Sequence, residues 1–316
     1  MKKIAWILSL LLVLCLSFSA LAEKDGYYFT EEDGGTFRPL PINLEGGSPL
    51  PSTVKYNKNI KVYEDPTIRV ERDRVEKSPF DVVYYYAIIT IKDPSQLRTA
   101  SAKDDFSASA RTPVRAMAKR KNAVIAVNGD FCGSFNGNVS NNYILRQGTV
   151  FRDTVETNLD LLLIDEDGDF HILTADESLA SIDKTEIDGK KVINALQFGP
   201  ALVIDGQLVE DEKLLDRGHS PALSGPHQLN QRMGIAQLDK LTYMVICCAH
   251  YGQTLPQFRD LVMYVADVQN AYVLDGGNSA QMVFLNADIN NINNGSGNGR
   301  GVTDIVYFAS AWFKDE

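Results

Sequence analysis

Residues 272–284, YVLDGGNSAQMVF, restrict the fold more than any other stretch of this chain. Tyr272, Val273 and Leu274 form a short apolar run that stops at Asp275, and Gly276 and Gly277 follow at once. A buried strand would deliver Asp275 to its carboxyl end. Two glycines then let the backbone turn sharply and approach a neighbour or a ligand closely. Ser279 adds a hydroxyl before a second apolar run begins. A β-hairpin is the plain alternative, since an acidic residue before glycine is common turn chemistry.

The rest of the pattern is dominated by strands. VVYYYAIITI (82–91) is β-rich, NAVIAVNG (122–129) is an apolar run ending in Asn-Gly, and KLTYMVICCA (240–249) is long and largely apolar. LDLLLIDEDGDFHILTA (159–175) reads as two strands joined across Asp167-Gly168, and ALVIDGQLV (201–209) as a second Asp-Gly hairpin. DEDGD lacks the further ligands and distal Glu of an EF-hand, so a turn is the better reading there. Two helices stand out. TPVRAMAKRK (112–121) offers Thr112 as N-cap and Pro113 at the first position. Leu255, Phe258, Leu261, Val262 and Val265 repeat at helical spacing through about Val268, behind a Thr254/Gln257 capping box. The expected fold is a strand-rich mixed sheet with helices packed on it, α+β or mixed α/β, in one main domain over residues 80–316.

Upstream, residues 23–79 read as an extended arm, because 23–60 are rich in Gly, Pro and polar residues with weak periodicity. Residues 1–22 read as a secretory signal peptide: Lys2 and Lys3, an apolar run, then Ala20-Leu21-Ala22. Leu14 before Cys15 disfavours a lipoprotein signal, and no later run approaches the length of a membrane span. A secreted or extracytoplasmic protein is expected. Cleavage would leave 29 basic against 41 acidic residues, a net charge of −12. That balance argues against nucleic acid as a partner. Cys132, Cys247 and Cys248 would remain, either as buried thiols or with Cys132 paired to one of the adjacent two. His171, His219, His227 and His250 are scattered and suggest no transition-metal site.

Polar groups recur where apolar strands end: Asn128-Gly129-Asp130, Gly199, Arg232, Asp275 through Ser279, and Arg300 in a Gly-rich loop. Carboxylates serve acid–base work or steady a cationic sugar, and arginine's planar fork matches phosphate or carboxylate. Each alone has a bland reading as a turn or a surface ion pair. Their recurrence supports a site.

In order along residues 82–310, the segments resemble the phosphodiester glycosidase family. AVNGDFCG (126–133), NYILRQG (142–148), FGPALVIDG (198–206), QRMGIAQ (231–237), YVLDGGNSAQMVF and GRGVTDIVYF (299–308) are similar to its six elements in sequence. Its animal member removes N-acetylglucosamine from a mannose-6-phosphate diester, and exported bacterial relatives are associated with exopolysaccharide. Four departures stand out: Asn278 for the third glycine, Ala280 for a serine, Gln231 for proline and Met233 for threonine.

The resemblance implies an exported hydrolase that splits the glycosidic bond of a sugar-1-phosphodiester in a carbohydrate at the cell surface, with no required cofactor. Asp275 and Asp130 would activate water or stabilise the oxocarbenium-like state, and Arg232, with Arg300, would hold the phosphodiester. Asn128, Gly129, Gly199, Gly276, Gly277, Asn278 and Ser279 would position sugar hydroxyls or phosphate oxygens. Loss of Arg232 is expected to reduce the rate more than loss of Ser279. Two alternatives use the same residues. One is a non-catalytic glycan-binding protein. The other is a metal-dependent phosphoesterase, with Asp130, Asp275 and Asp304 as ligands for Ca²⁺ or Mg²⁺.

Overall fold

The computed structural model of the chain describes residues 25–57, 59–106, 110–131, 134–135, 138–139, 141–216, 228–249, 252–290 and 299–315. Residues 1–22, expected as a signal peptide, and Cys132, His219, His227 and His250 lie outside these residues.

Strands dominate, and three α-helices are found among the described residues. The largest sheet has nine strands, in the order Gly26–Tyr28, Val62–Asp65, Ile68–Val75, Tyr84–Ile91, Thr242–Cys248, Met233–Asp239, Asn270–Leu274, Ala201–Ile204 and Gln207–Leu208. Only its first pair is parallel. A five-stranded antiparallel sheet runs Ala287–Asp288, Met282–Phe284, Ala123–Asn128, Asp304–Ala309, Leu97–Ser101. A six-stranded sheet is built around Lys190–Leu196, flanked by Ile144–Arg146 and Leu161–Asp165. The expected single sheet is thus several, and helices are a minor part.

One apolar core joins the sheets. Tyr243 of the large sheet stacks against Phe308 of the five-stranded sheet at 5.3 Å and against Phe170 of the six-stranded sheet at 5.4 Å, ring centre to ring centre. Such aromatic pairs add to burial itself. Ala123–Asn128 is buried along its whole length, because its other face is covered by the helix Val114–Arg120 through Val114, Met117 and Ala118. Burial on both faces explains why its sequence is a continuous apolar run rather than an alternation.

The helix Leu255–Val265 packs Phe258, Leu261 and Val262 inward and carries the expected capping box, Thr254 Oγ1 accepting from Gln257 N. It stops at Val265, short of Val268. Pro113, not Thr112, is the cap of the earlier helix. Asp167-Gly168 is the expected hairpin turn. Buried Asp165 accepts from the N–H groups of Asp167 and Asp169, both at 2.9 Å, and Lys190 faces the turn's carboxylates.

Much of the segment read as an extended arm is packed into the fold. Val62–Asp65 and Ile68–Val75 extend the large sheet, and Thr36–Phe37 pairs with Trp312–Phe313. Between them, fully buried Arg98 donates to the carbonyls of Pro41, Asn43 and Glu45 at 2.9–3.1 Å. Those residues show little periodicity because a buried guanidinium, not an apolar face, holds them down. Cys247 and Cys248 are buried free thiols. No helix among the described residues is long and apolar enough to cross a membrane.

Candidate active site

The Asp-Gly-Gly segment is not a hairpin. Asn270–Leu274 belongs to the nine-stranded sheet and Met282–Phe284 to the five-stranded sheet, so residues 275–281 carry the chain from one sheet to the other. The crossing is tight. A Cβ on Gly276 would sit 2.6 Å from the Gln231 carbonyl oxygen, and Gly277 adopts φ 58°. Gly277 N donates to that same carbonyl at 2.7 Å. Asn278 lies in the short 3₁₀ turn Gly277–Ser279 without positive φ, so replacing a glycine there brings no backbone strain.

Beside this crossing ends the strand Ala123–Asn128. Asn128 Nδ2 donates to the Asp275 carbonyl at 2.6 Å and to the Gly129 carbonyl at 3.1 Å. Its Oδ1 accepts from Gln281 N at 3.2 Å, and Asp275 N donates to Gly129 O at 3.2 Å. Asn128 therefore fastens one sheet's motif to the other's. It fixes where the Asp275 backbone sits.

A cleft opens at this junction, lined in part by Asn128, Gly129, Asp275, Ser279 and Arg300. The Asp275 side chain keeps 18% of its surface exposed. Arg300 Nη2 is 3.5 Å from Asp275 Oδ2 and donates to Ser279 Oγ. Gln281, wholly buried, holds the arginine's loop by donating to the Arg300 carbonyl at 2.9 Å. Carboxylate and guanidinium thus meet on the open side of the junction, over the buried Ser279 hydroxyl.

Asp130 also lines the cleft. Its side chain has no exposed surface and forms an ion pair with equally buried Arg146 at 2.7 Å. The other carboxylate oxygen accepts from Gln197 N at 2.8 Å and Asn142 Nδ2 at 3.3 Å. Arg146 also reaches Asp304 at 3.2 Å. Burial, and then the negative charge of Asp130, push the Asp304 carboxyl well above the usual range, which favours its neutral form. Gly129 has no room for a side chain over this cluster: a Cβ there would lie 2.4 Å from Asp304 Oδ2. The triad ties together residues from three of the six motif segments. It builds the floor of the cleft.

Arg232 and Gly199 stand apart from the cleft lining among the described residues. The Arg232 guanidinium donates to the carbonyls of Gln253 at 3.0 Å and Gln228 at 2.8 Å, and burial lowers its pKa to about 10. Gly199, with φ 74°, lies against the Tyr272 hydroxyl and Asp160. Gly276, Gly277 and Asn278 shape the crossing without lining the cleft. One lining residue, Arg111, lies outside the motif segments, while Thr303 falls within GRGVTDIVYF. Arg146 did carry one, as a lone charge inside an apolar strand that had to find a buried partner.

As for a metal, two carboxylates of the alternative Asp130/Asp275/Asp304 ligand set, Asp130 and Asp304, are already paired with Arg146. No group of three or more His, Cys, Asp or Glu among the described residues is arranged to hold an ion.

The family model for the phosphodiester glycosidases matches residues 121–309. The chain belongs to the phosphodiester glycosidase family. That span includes the Asn128–Asp130 motif, the Asp-Gly-Gly crossing and Arg300. Among solved structures, the fold is similar to a zebrafish N-acetylglucosamine-1-phosphodiester alpha-N-acetylglucosaminidase catalytic domain auto-inhibited by pro-peptide. The TM-score is 0.61 at 13% identity, over 88% of each chain. It is also similar to a hypothetical protein from Synechocystis, with TM-score 0.53 and 14% identity over 78% of this chain and 63% of that one. No curated protein sequence matches the chain.

Proposed function

We propose that this family member hydrolyses a sugar-1-phosphodiester. Water adds at the anomeric carbon, the C1–O bond breaks, and the products are the free sugar and a phosphomonoester. The observation that carries this reading is the Asp275–Arg300 pair, 3.5 Å apart on the open side of the sheet junction. Asp275 activates the water or stabilises the oxocarbenium-like state. Arg300 leaves Asp275 to hold the phosphodiester, and its charge stabilises the departing phosphate. A sugar phosphate leaves readily, so one accessible carboxylate suffices where ordinary glycosidases use two. Asp130 acts through the floor it builds. Ser279 orients Arg300 or a phosphate oxygen.

The reaction requires no metal on this reading, since Arg146 already balances the buried carboxylates. The signal-like N-terminus supports export, and a surface or extracellular glycan is then the natural substrate. N-acetylglucosamine is the first sugar to try, because the similar zebrafish domain is named for it.

Turnover of α- and β-linked sugar-1-phosphodiesters by the purified chain, with and without chelator and beside Asp275→Asn, tests this. Free sugar should appear regardless of chelator, and Asp275→Asn should lose about 10²-fold or more in rate. A folded wild type that binds but never turns over would shift the function to glycan binding. Chelator-sensitive release of sugar phosphate would shift it to a metallophosphoesterase.

A further inference from the structure

A buried amide decides where Arg300 stands in the cleft. Gln281 has no exposed surface, and both ends of its side-chain amide are bound to backbone. Its Nε2 donates to the Arg300 carbonyl at 2.9 Å and to the Ser279 carbonyl at 3.4 Å. Its Oε1 accepts from Val114 N, the first N–H of the helix Val114–Arg120, at 3.3 Å. Two carbonyls on one side and an N–H on the other allow the amide only one way round. Gln281 N is bound as well, donating to Asn128 Oδ1 at 3.2 Å. One residue thus joins the sheet crossing, the entry of the helix and the Arg300 loop.

The fit around Arg300 leaves no slack. On one side, a Cβ at Gly299 would collide with the Gln281 amide. On the other, a Cβ at Gly301 would lie 2.9 Å from Arg111 Cβ. Glycine at both positions lets the Arg300 backbone lie directly against Gln281.

We propose that Gln281 is a positioning residue that acts through Arg300, fixing the backbone from which the guanidinium reaches Asp275 and the phosphodiester. This rests on the hydrolase reading above for what Arg300 binds, and extends it to a residue to which the motif comparison gives no role. The side chains of Arg300 and Ser279 are hydrogen-bonded to each other, and the same Nε2 holds the carbonyls of both. Donor and hydroxyl are therefore set by one amide. A long arginine side chain gives up rotamer freedom when it grips an anion, and a backbone already in place reduces what must be ordered on binding. That grip acts on substrate and transition state alike, so its loss raises KM more than it lowers kcat.

The test is a double-mutant cycle on Gln281→Met, Arg300→Gln and their combination. Turnover of the 1-(methyl phosphate) diester of N-acetylglucosamine, calorimetric binding of dimethyl phosphate and thermal unfolding are measured for each. Gly299→Ala, which keeps Gln281 but pushes its amide aside, is the second perturbation. Gln281→Met and Gly299→Ala should each raise KM and the Kd for dimethyl phosphate about fivefold or more, with kcat lowered less. In the Arg300→Gln background neither should add more than about twofold, because both act through the guanidinium. Full additivity in that background, wild-type KM and Kd in folded Gln281→Met, or no binding of dimethyl phosphate by wild type would overturn the assignment. So would a Gln281→Met chain that does not fold while Gly299→Ala keeps wild-type KM and Kd, since the residue would then be purely structural. Coupled losses of anion binding without diester turnover would leave the assignment standing and defeat the hydrolase reading instead.

Discussion

Replacing Arg146 with methionine, a residue of similar length and no charge, isolates what its guanidinium does. Its Nη2 lies 2.7 Å from Asp130 and 3.2 Å from Asp304, and none of the three side chains has exposed surface. Breaking a buried ion pair by removing one partner typically costs about 3–5 kcal/mol, since the stranded charge cannot reach water. Two features moderate the loss here. Burial and Asp130 push the Asp304 carboxyl upward, which favours its neutral form and leaves Asp130 as the main stranded anion. That anion, Asp130, keeps the donors Gln197 N and Asn142 Nδ2. The expected cost at neutral pH is therefore about 3–4 kcal/mol, or roughly 6–16 °C in Tm for a domain of this size. Adding Asp130→Asn removes the stranded charge and should restore about half of the loss. Urea unfolding of the two single variants and the double variant at pH 7 gives these values directly. A cost below about 1 kcal/mol for Arg146→Met, or a double variant no more stable than that single, would refute the ion-pair account of the floor.

Gly129→Ala should destabilise by about 1–3 kcal/mol, because its methyl group would meet the Asp304 carboxylate at 2.4 Å with no flexible neighbour to yield. An unchanged urea midpoint would show that the floor can shift freely. Asp304→Asn tests the proton. A buried acid with a raised folded-state pKa gives stability that is complete below its unfolded pKa of about 4 and fades as pH rises toward the folded value. The amide imitates the protonated acid at every pH, so Asp304→Asn should gain stability relative to wild type between pH 4 and pH 7. A difference that stays flat with pH would mean Asp304 is ionised in the fold.

What the sequence makes legible follows from how each residue is satisfied. The helix Leu255–Val265 is readable because one face meets the core: Phe258 lies over Gly234, where a Cβ would approach its ring at 3.1 Å. The strands of residues 122–129 and 240–249 announce themselves by being buried on both faces. Residues 23–79 hide their place because strands at the start of the large sheet and a strap held by Arg98 need backbone hydrogen bonds more than periodic side chains. In the site, Asp275 is legible as a charged group delivered by an apolar strand into glycines. Asp130 has the same local signature, and only the third dimension shows that Arg146 claims it. Arg111 precedes Thr-Pro in an exposed stretch and is indistinguishable from a surface arginine until the Thr112–Val302 bridge places it.

The cleft's polar residues thus divide into two groups with different kinetic signatures. Where two sheets meet, buried polar groups must be paired, and most motif residues answer that demand among themselves. Asn128 is the clearest case, since both its donors and its acceptor are used on backbone of the two sheets. Its hold on the Asp275 carbonyl sets where the carboxylate points, and preorganisation of that kind acts on the transition state rather than on ground-state binding. Asn128→Ser should therefore lower kcat by about tenfold or more with KM changed by less than about threefold, since losing an interaction made only in the transition state lowers kcat and kcat/KM together. Steady-state kinetics of the variant, with thermal unfolding to confirm that it is folded, tests this role. An Asn128→Ser variant that raises KM at unchanged kcat would place the amide on the substrate and take it out of the scaffold.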